Sequence, residues 1–112
     1  MTQDILNKIG DIFKVLSHPV RIQILQEIGK GEACVCHLEA QIGIRQATLS
    51  QHLMALRDAD LLDTRRDGRY IFYRLAQREI LDIIQAVADL KGIEFNINDT
   101  VHEACECPKC CN

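Results

Sequence analysis

The sequence predicts a mainly α-helical domain with a β-hairpin, an α+β fold of order α-α-α-α-β-β-α. Three observations predict it. Apolar residues recur at three- and four-residue spacing in five stretches. An Asp67-Gly68 pair sits between two runs of β-forming residues. The 112 residues, 47% of them hydrophobic and 26% charged, suffice for one compact core and not for two. No apolar run approaches the roughly 20 residues needed to cross a bilayer, so a membrane-spanning protein is not expected.

Ile5, Leu6, Ile9, Ile12, Phe13 and Leu16 mark one face of a first helix over residues 3–16. Ser17-His18-Pro19 ends it and starts a second, since proline suits a first helical turn whose N–H groups have no intrahelical partner. Val20, Ile24, Leu25 and Ile28 form the face of that second helix, and Gly29 and Gly31 close it. Residues 33–42 read as a short third helix with Val35, Leu38 and Ile42 inward. Gly43-Ile44-Arg45 is a tight turn. A fourth helix over 46–59 carries Leu49, Leu53 and Leu56 at core spacing beneath a polar face. Residues 62–66 and 69–75 flank Asp67-Gly68, which reads as a two-residue hairpin turn with both residues at positive φ. Residues 77–91 return to helical spacing through Ile80, Ile83, Ile84, Val87 and Leu90, and Gly92 ends them. Residues 1–92 are thus the folded domain, and 93–112 an acidic, cysteine-rich tail without periodicity.

The net charge of −3 speaks against nucleic acid until its distribution is read. Residues 45–78 hold seven of the eight arginines and no lysine, against four aspartates, which leaves this segment at +3 and the remainder at −6. Arginine suits bidentate recognition of phosphate and of guanine edges. A short helix, a glycine turn, a polar-faced helix and a basic hairpin together describe a winged helix-turn-helix. The candidate DNA-contacting residues are Arg45 in the turn, Gln46, Thr48, Ser50, Gln51 and His52 of the fourth helix, and Arg65, Arg66 and Arg69 on the wing. His52 taken alone has more the character of a structural hydrogen-bonding residue. The first and last helices keep apolar faces that suit a two-fold dimer interface. No nucleophile–base arrangement, phosphate loop or paired carboxylates suggests an enzyme.

Three segments resemble the ArsR/SmtB family of bacterial metal-sensing repressors: Leu16-Ser17-His18-Pro19-Val20-Arg21-Ile22, the stretch Leu49-Ser50-Gln51-His52-Leu53 running on to Leu62, and the hairpin Arg65 to Leu75. The resemblance covers residues 5–91. It implies a homodimer that binds a palindromic operator and leaves it when an inducer binds, with Thr48, Ser50, Gln51 and His52 at the major groove. A cytoplasmic location is expected separately, from acids at the N-terminus where a secretory signal has a basic start and an apolar run.

Six cysteines in a chain that lacks a secretory-type N-terminus suggest metal or thiol chemistry rather than a disulfide scaffold. Cys34-Val35-Cys36 falls at the start of the third helix. Side chains two apart on a regular helix diverge by about 200°, so chelation requires the pair to lie in the first turn or just before it. A helix N-terminus also favours thiolate, the form that binds soft metals. His37 is expected to face solvent or to cap the helix. The Cys-Val-Cys segment is similar to that of arsenic-, cadmium- and lead-responsive family members. It departs from them in carrying Glu39 where the arsenic sensors have a third cysteine, and in having no cysteine in the N-terminal arm. Cys105, Cys107, Cys110 and Cys111 are the candidate further ligands, completing this site or forming their own. The last-helix zinc pattern of the family is broken, because Asp82 is followed by Ile84 and Asp89 by Lys91 at the matching places.

Three thiolates suit As(III) or Sb(III), three or four suit Cd(II), Pb(II) or Bi(III), and four suit Zn(II). The favoured reading is a repressor released from operator DNA by As(III), with Cd(II) and Pb(II) next. A thiol-redox or persulfide-responsive repressor and a metal-sequestering protein are the alternatives.

Overall fold

The structure is a computed structural model that describes residues 1–97; Cys105, Cys107, Cys110 and Cys111 lie outside the described residues. Five helices and three strands follow one another as α1 (Thr2–Val15), α2 (Pro19–Ile28), β1 (Glu32–Cys34), α3 (Val35–Ile42), α4 (Gln46–Asp58), β2 (Leu62–Asp67), β3 (Tyr70–Leu75) and α5 (Glu79–Leu90). The expected helices, turn and hairpin are all present.

The core gathers Ile24, Leu25 and Ile28 of α2, Leu38 of α3, Leu49, Leu53 and Leu56 of α4, and Ile80, Leu81 and Ile84 of α5. The chain enters α4 through Gly43, whose left-handed φ of 78° caps α3 while its N–H bonds Glu39 O at 2.9 Å. It leaves α4 through Asp60, a non-glycine residue at φ 62°. That reversal lets the Leu61 N–H reach Leu56 O at 3.0 Å and starts β2 at once.

Three features differ from the sequence expectation. Residues 33 and 34 are not helical. They belong to β1, which pairs antiparallel with β3, so the sheet has three strands in the order β1-β3-β2. A three-residue strand has no periodicity of its own to read, and its partner lies some forty residues away. Second, Asp67 pairs with Tyr70, so the hairpin loop is Gly68-Arg69 and not Asp67-Gly68. Only Gly68 takes positive φ, at 63°, as a turn with glycine at its first central position requires. Third, His37 is fully buried rather than solvent-facing.

The two faces of the sheet do different things. Side chains alternate across a pleated strand. Ala33, Leu62 and Leu75 face the helical core, with Tyr73 packed against it. Cys34 and Phe72 form a second, separate buried cluster, with Cys36 and Tyr70 against it.

Helix α1 buries no residue. Its Ile5, Leu6, Ile9 and Phe13 are each more than half exposed, as is Leu90 of α5, while Ile83 and Val87 are partly so. Beyond α5 the chain turns back over α2. Phe95 and Ile97 pack on the core, and Gln26 Nε2 donates to Asn96 O at 2.6 Å.

Candidate nucleic-acid interface and thiol pair

Helix α4 turns Leu49, Leu53 and Leu56 inward, and this fixes what faces out. Gln46, Thr48, Ser50 and Gln51 are exposed along its first two turns, with Arg45 just before them at the N-cap. Among the described residues, none of these five makes a side-chain hydrogen bond. Their donors and acceptors are therefore open to an external partner. His52 is different. It is half-buried, and its Nδ1 accepts a hydrogen bond from Arg21 Nε at 3.0 Å. Its ring lies 5.7 Å from that of His18. Burial, then the charges of Arg21 and His18, hold its pKa below the usual histidine value.

The wing arginines are also unequal. Arg66 and Arg69 are exposed, and the Arg69 guanidinium lies 5.5 Å from the centre of the Tyr70 ring. Arg65 is committed within the fold. Its Nε and Nη2 each donate to Glu32 at 2.9 Å, a bidentate pair, and its guanidinium stands 4.7 Å over the Phe72 ring. The bond to Glu32 raises the pKa of Arg65; desolvation opposes it, and the charges of Glu32 and Asp67 add smaller upward effects.

Cys34 is the last residue of β1 and also the N-cap of α3, with extended backbone at φ −83° and ψ 163°. Its Sγ accepts from the His37 N–H at 3.3 Å, in the manner of a serine cap. Helical geometry begins only at Val35, and the Sγ atoms of Cys34 and Cys36 lie 2.6 Å apart. The backbone bend that chelation requires is present. The His37 imidazole points inward, with Nε2 3.6 Å from Glu27 Oε2, and no cluster of three or more metal-ligating side chains occurs among the described residues. Two thiolates are a fitting but partial donor set for a thiophilic ion. In the sheet, Cys34, Phe72 and Arg65 occupy one row across all three strands. The thiol pair therefore touches the wing directly. The sequence contained no signal for Phe72 or Glu32 as members of this group. Arg21 had one faint signal, its place in the Leu16–Ile22 motif.

A family model described as "Bacterial regulatory protein, arsR family" matches residues 18–64, from the N-cap of α2 into β2. The biofilm growth-associated repressor of Xylella fastidiosa is 42% identical over 81 residues, which are 72% of this chain and 71% of that protein. The chain belongs to the arsR family. The arsenical resistance operon repressor of Staphylococcus aureus is 35% identical over 100 residues, 89% of this chain and 88% of that one. A solved winged helix-turn-helix domain from Mycobacterium bovis, described as homodimeric, matches with a TM-score of 0.72 at 25% identity, over 89% of this chain and 93% of that domain. Fold and family are those of DNA-binding transcriptional regulators, not of enzymes. Among the described residues, no helix of this arsR-family chain is long and apolar enough to cross a membrane.

Proposed function

We propose that this chain is a transcriptional repressor that binds operator DNA as a homodimer and is released when a soft thiophilic ion engages Cys34 and Cys36. The observation that carries this reading is the row Cys34–Phe72–Arg65, which puts a thiol pair in packing contact with the basic wing. Gln46, Thr48, Ser50, Gln51 and His52 of α4 read the major groove, while Arg45, Arg66 and Arg69 meet phosphates and Arg65, held by Glu32, contributes less. The apolar faces of α1 and α5 form the dimer interface, setting the two recognition helices at a fixed separation.

The ion supplies bonds to two thiolates, and As(III) is the favoured inducer, with Sb(III), Cd(II), Pb(II) and Zn(II) as the other candidates. A third thiolate comes from Cys105, Cys107, Cys110 or Cys111. Two routes carry the change outward. The first runs through α3, which packs against α4. The second runs through Phe72 to Arg65 and its bond to Glu32, altering the wing. A coupling of about 1–3 kcal/mol lowers DNA affinity roughly 5- to 150-fold, and DNA weakens ion binding by the same factor.

The test is operator affinity with and without As(III) or Cd(II) for the wild type, Cys34→Ser and Cys36→Ser. Loss of release in both variants supports the reading, and retained release in both overturns it. The presence of two free thiols at this site also favours a second reading, release by thiol oxidation or persulfidation, in which Cys34 or Cys36 links to a tail cysteine, since a Cys34–Cys36 disulfide would close a small, strained ring. Release by peroxide or persulfide in metal-free buffer, without release by As(III), would establish that instead.

A further inference from the structure

We propose that Arg21 is a positioning residue for DNA recognition, holding His52 as the Nε2-protonated neutral imidazole so that α4 presents a fixed N–H donor to a hydrogen-bond acceptor of the duplex. This rests on the reading of α4 as the recognition helix.

A guanidinium only donates and stays protonated at all working pH. The Arg21 Nε–H points at His52 Nδ1 from 3.0 Å, so Nδ1 must offer its lone pair. A neutral imidazole carries one ring proton, which leaves it on Nε2. Nε2 has no hydrogen-bond partner among the described residues. The tautomer is therefore set on one side of the ring by the fold and left open on the other.

The orienting group is itself fixed. Arg21 Nη1 donates to Val15 O at 3.1 Å, tying it to the end of α1. His18, at the N-cap of α2, forms a second wall against the ring at a tilt of 55°. Arg21 and His18 are the charged or titratable groups that act on His52, and both disfavour its protonated form. His52 lies one helical turn beyond Thr48, so its free nitrogen continues the flank of the exposed polar face. A residue that merely joined α2 to α4 would need the Nδ1 bond but would have no use for a preset Nε2 donor.

The acceptor is either a phosphate oxygen or a base edge, and the experiment separates them. The full chain, reduced and metal-free, selects duplexes from a randomised pool, and the enriched duplex becomes the probe. Long-range 1H–15N spectra of histidine-labelled protein above pH 7.5 should show an unprotonated Nδ1 and a protonated Nε2 for His52. Arg21→Met should move these shifts toward a tautomer mixture, and Arg21→Lys should restore them. His52→Phe, which keeps a ring without a donor, should weaken binding to the probe about 5- to 10-fold. His52→Gln, whose amide nitrogen falls near the position of Nε2, should recover most of that loss. Weakening that is uniform over single-base variants of the probe identifies phosphate, and weakening confined to one position identifies a base. An Nδ1-protonated ring in the wild type overturns the proposal, as does His52→Phe binding as tightly as the wild type. A wild type that enriches no duplex overturns the recognition-helix reading itself, a distinct outcome.

Discussion

The exposed face of α4 and the outer face of the sheet carry similar-looking polar residues in opposite states. On α4, Gln46, Thr48, Ser50 and Gln51 are exposed and make no side-chain hydrogen bonds among the described residues. On the sheet, Arg65 is clamped to Glu32 and stacked over Phe72, which in turn packs on Cys34. The first surface is available without rearrangement. The second is already satisfied, so a change at the thiols must be transmitted through bonds and packing that exist before any ligand arrives. A reading surface needs open groups, and a switch needs a connected network. This chain separates the two between neighbouring elements.

The strongest way to break this contrast is to truncate one residue on each side. Phe72 is 1% exposed, and Phe72→Ala should cost about 3–5 kcal/mol in denaturant unfolding. Gln51→Ala should change stability by less than about 0.5 kcal/mol while weakening operator binding. Similar stability losses in the two variants would erase the distinction. A gentler probe is Phe72→Leu, which keeps the core filled. It should retain basal DNA affinity but reduce the ratio of affinities without and with As(III), measured by anisotropy, if the wing route carries part of the signal.

The wing itself allows a finer comparison. Arg66 and Arg69 have free charge to offer phosphates, whereas the charge of Arg65 is engaged by Glu32. Arg66→Ala should lower the log–log salt slope of DNA binding by about 0.9, the amount for one phosphate no longer neutralised. Arg65→Ala should lower it less. Glu32→Gln should release Arg65 and steepen the slope by up to about the same amount, with higher affinity in the absence of inducer. A shallower slope in Glu32→Gln would mean that the clamp is what holds the wing in its DNA-binding shape.

The smallest expected effect is on pH. His52 titrates below the usual histidine value of 6.5 in the folded chain. As pH falls, the unfolded chain takes up this proton first. The contribution of His52 to stability is therefore complete above about pH 6.5 and declines as pH drops toward the folded-state value. The difference in melting temperature between His52→Gln and the wild type should shift in favour of the variant between pH 7.5 and 5.5. No change in that difference would mean that neither the burial of His52 nor the nearby charges of Arg21 and His18 act on it in solution.

Local regularities made most of the molecule legible. The 3.6-residue spacing located all five helices, and Leu49, Leu53 and Leu56 identified the inward side of α4 and hence its reading face. The cysteine pair could be placed at a helix start because two residues of separation exclude a regular helix for chelation. The misreadings have one source. β1 exists only because β3 pairs with it, and the hairpin register follows from cross-strand pairing of Asp67 with Tyr70 rather than from the familiar Asp-Gly dipeptide. His37 looks like a surface residue in a polar segment until α2 brings Glu27 beside it.

By itself the sequence determined the helical framework, the segregation of positive charge into residues 45–78 and the family, because these rest on spacing and composition within short stretches. Only the tertiary structure decided which polar residues remain free. Arg65 and Arg66 are neighbours in the chain, yet one is bound to a carboxylate 33 residues away and the other is open to solvent. That difference depends on how three strands align, and the alignment is a property of the packed sheet rather than of any segment within it.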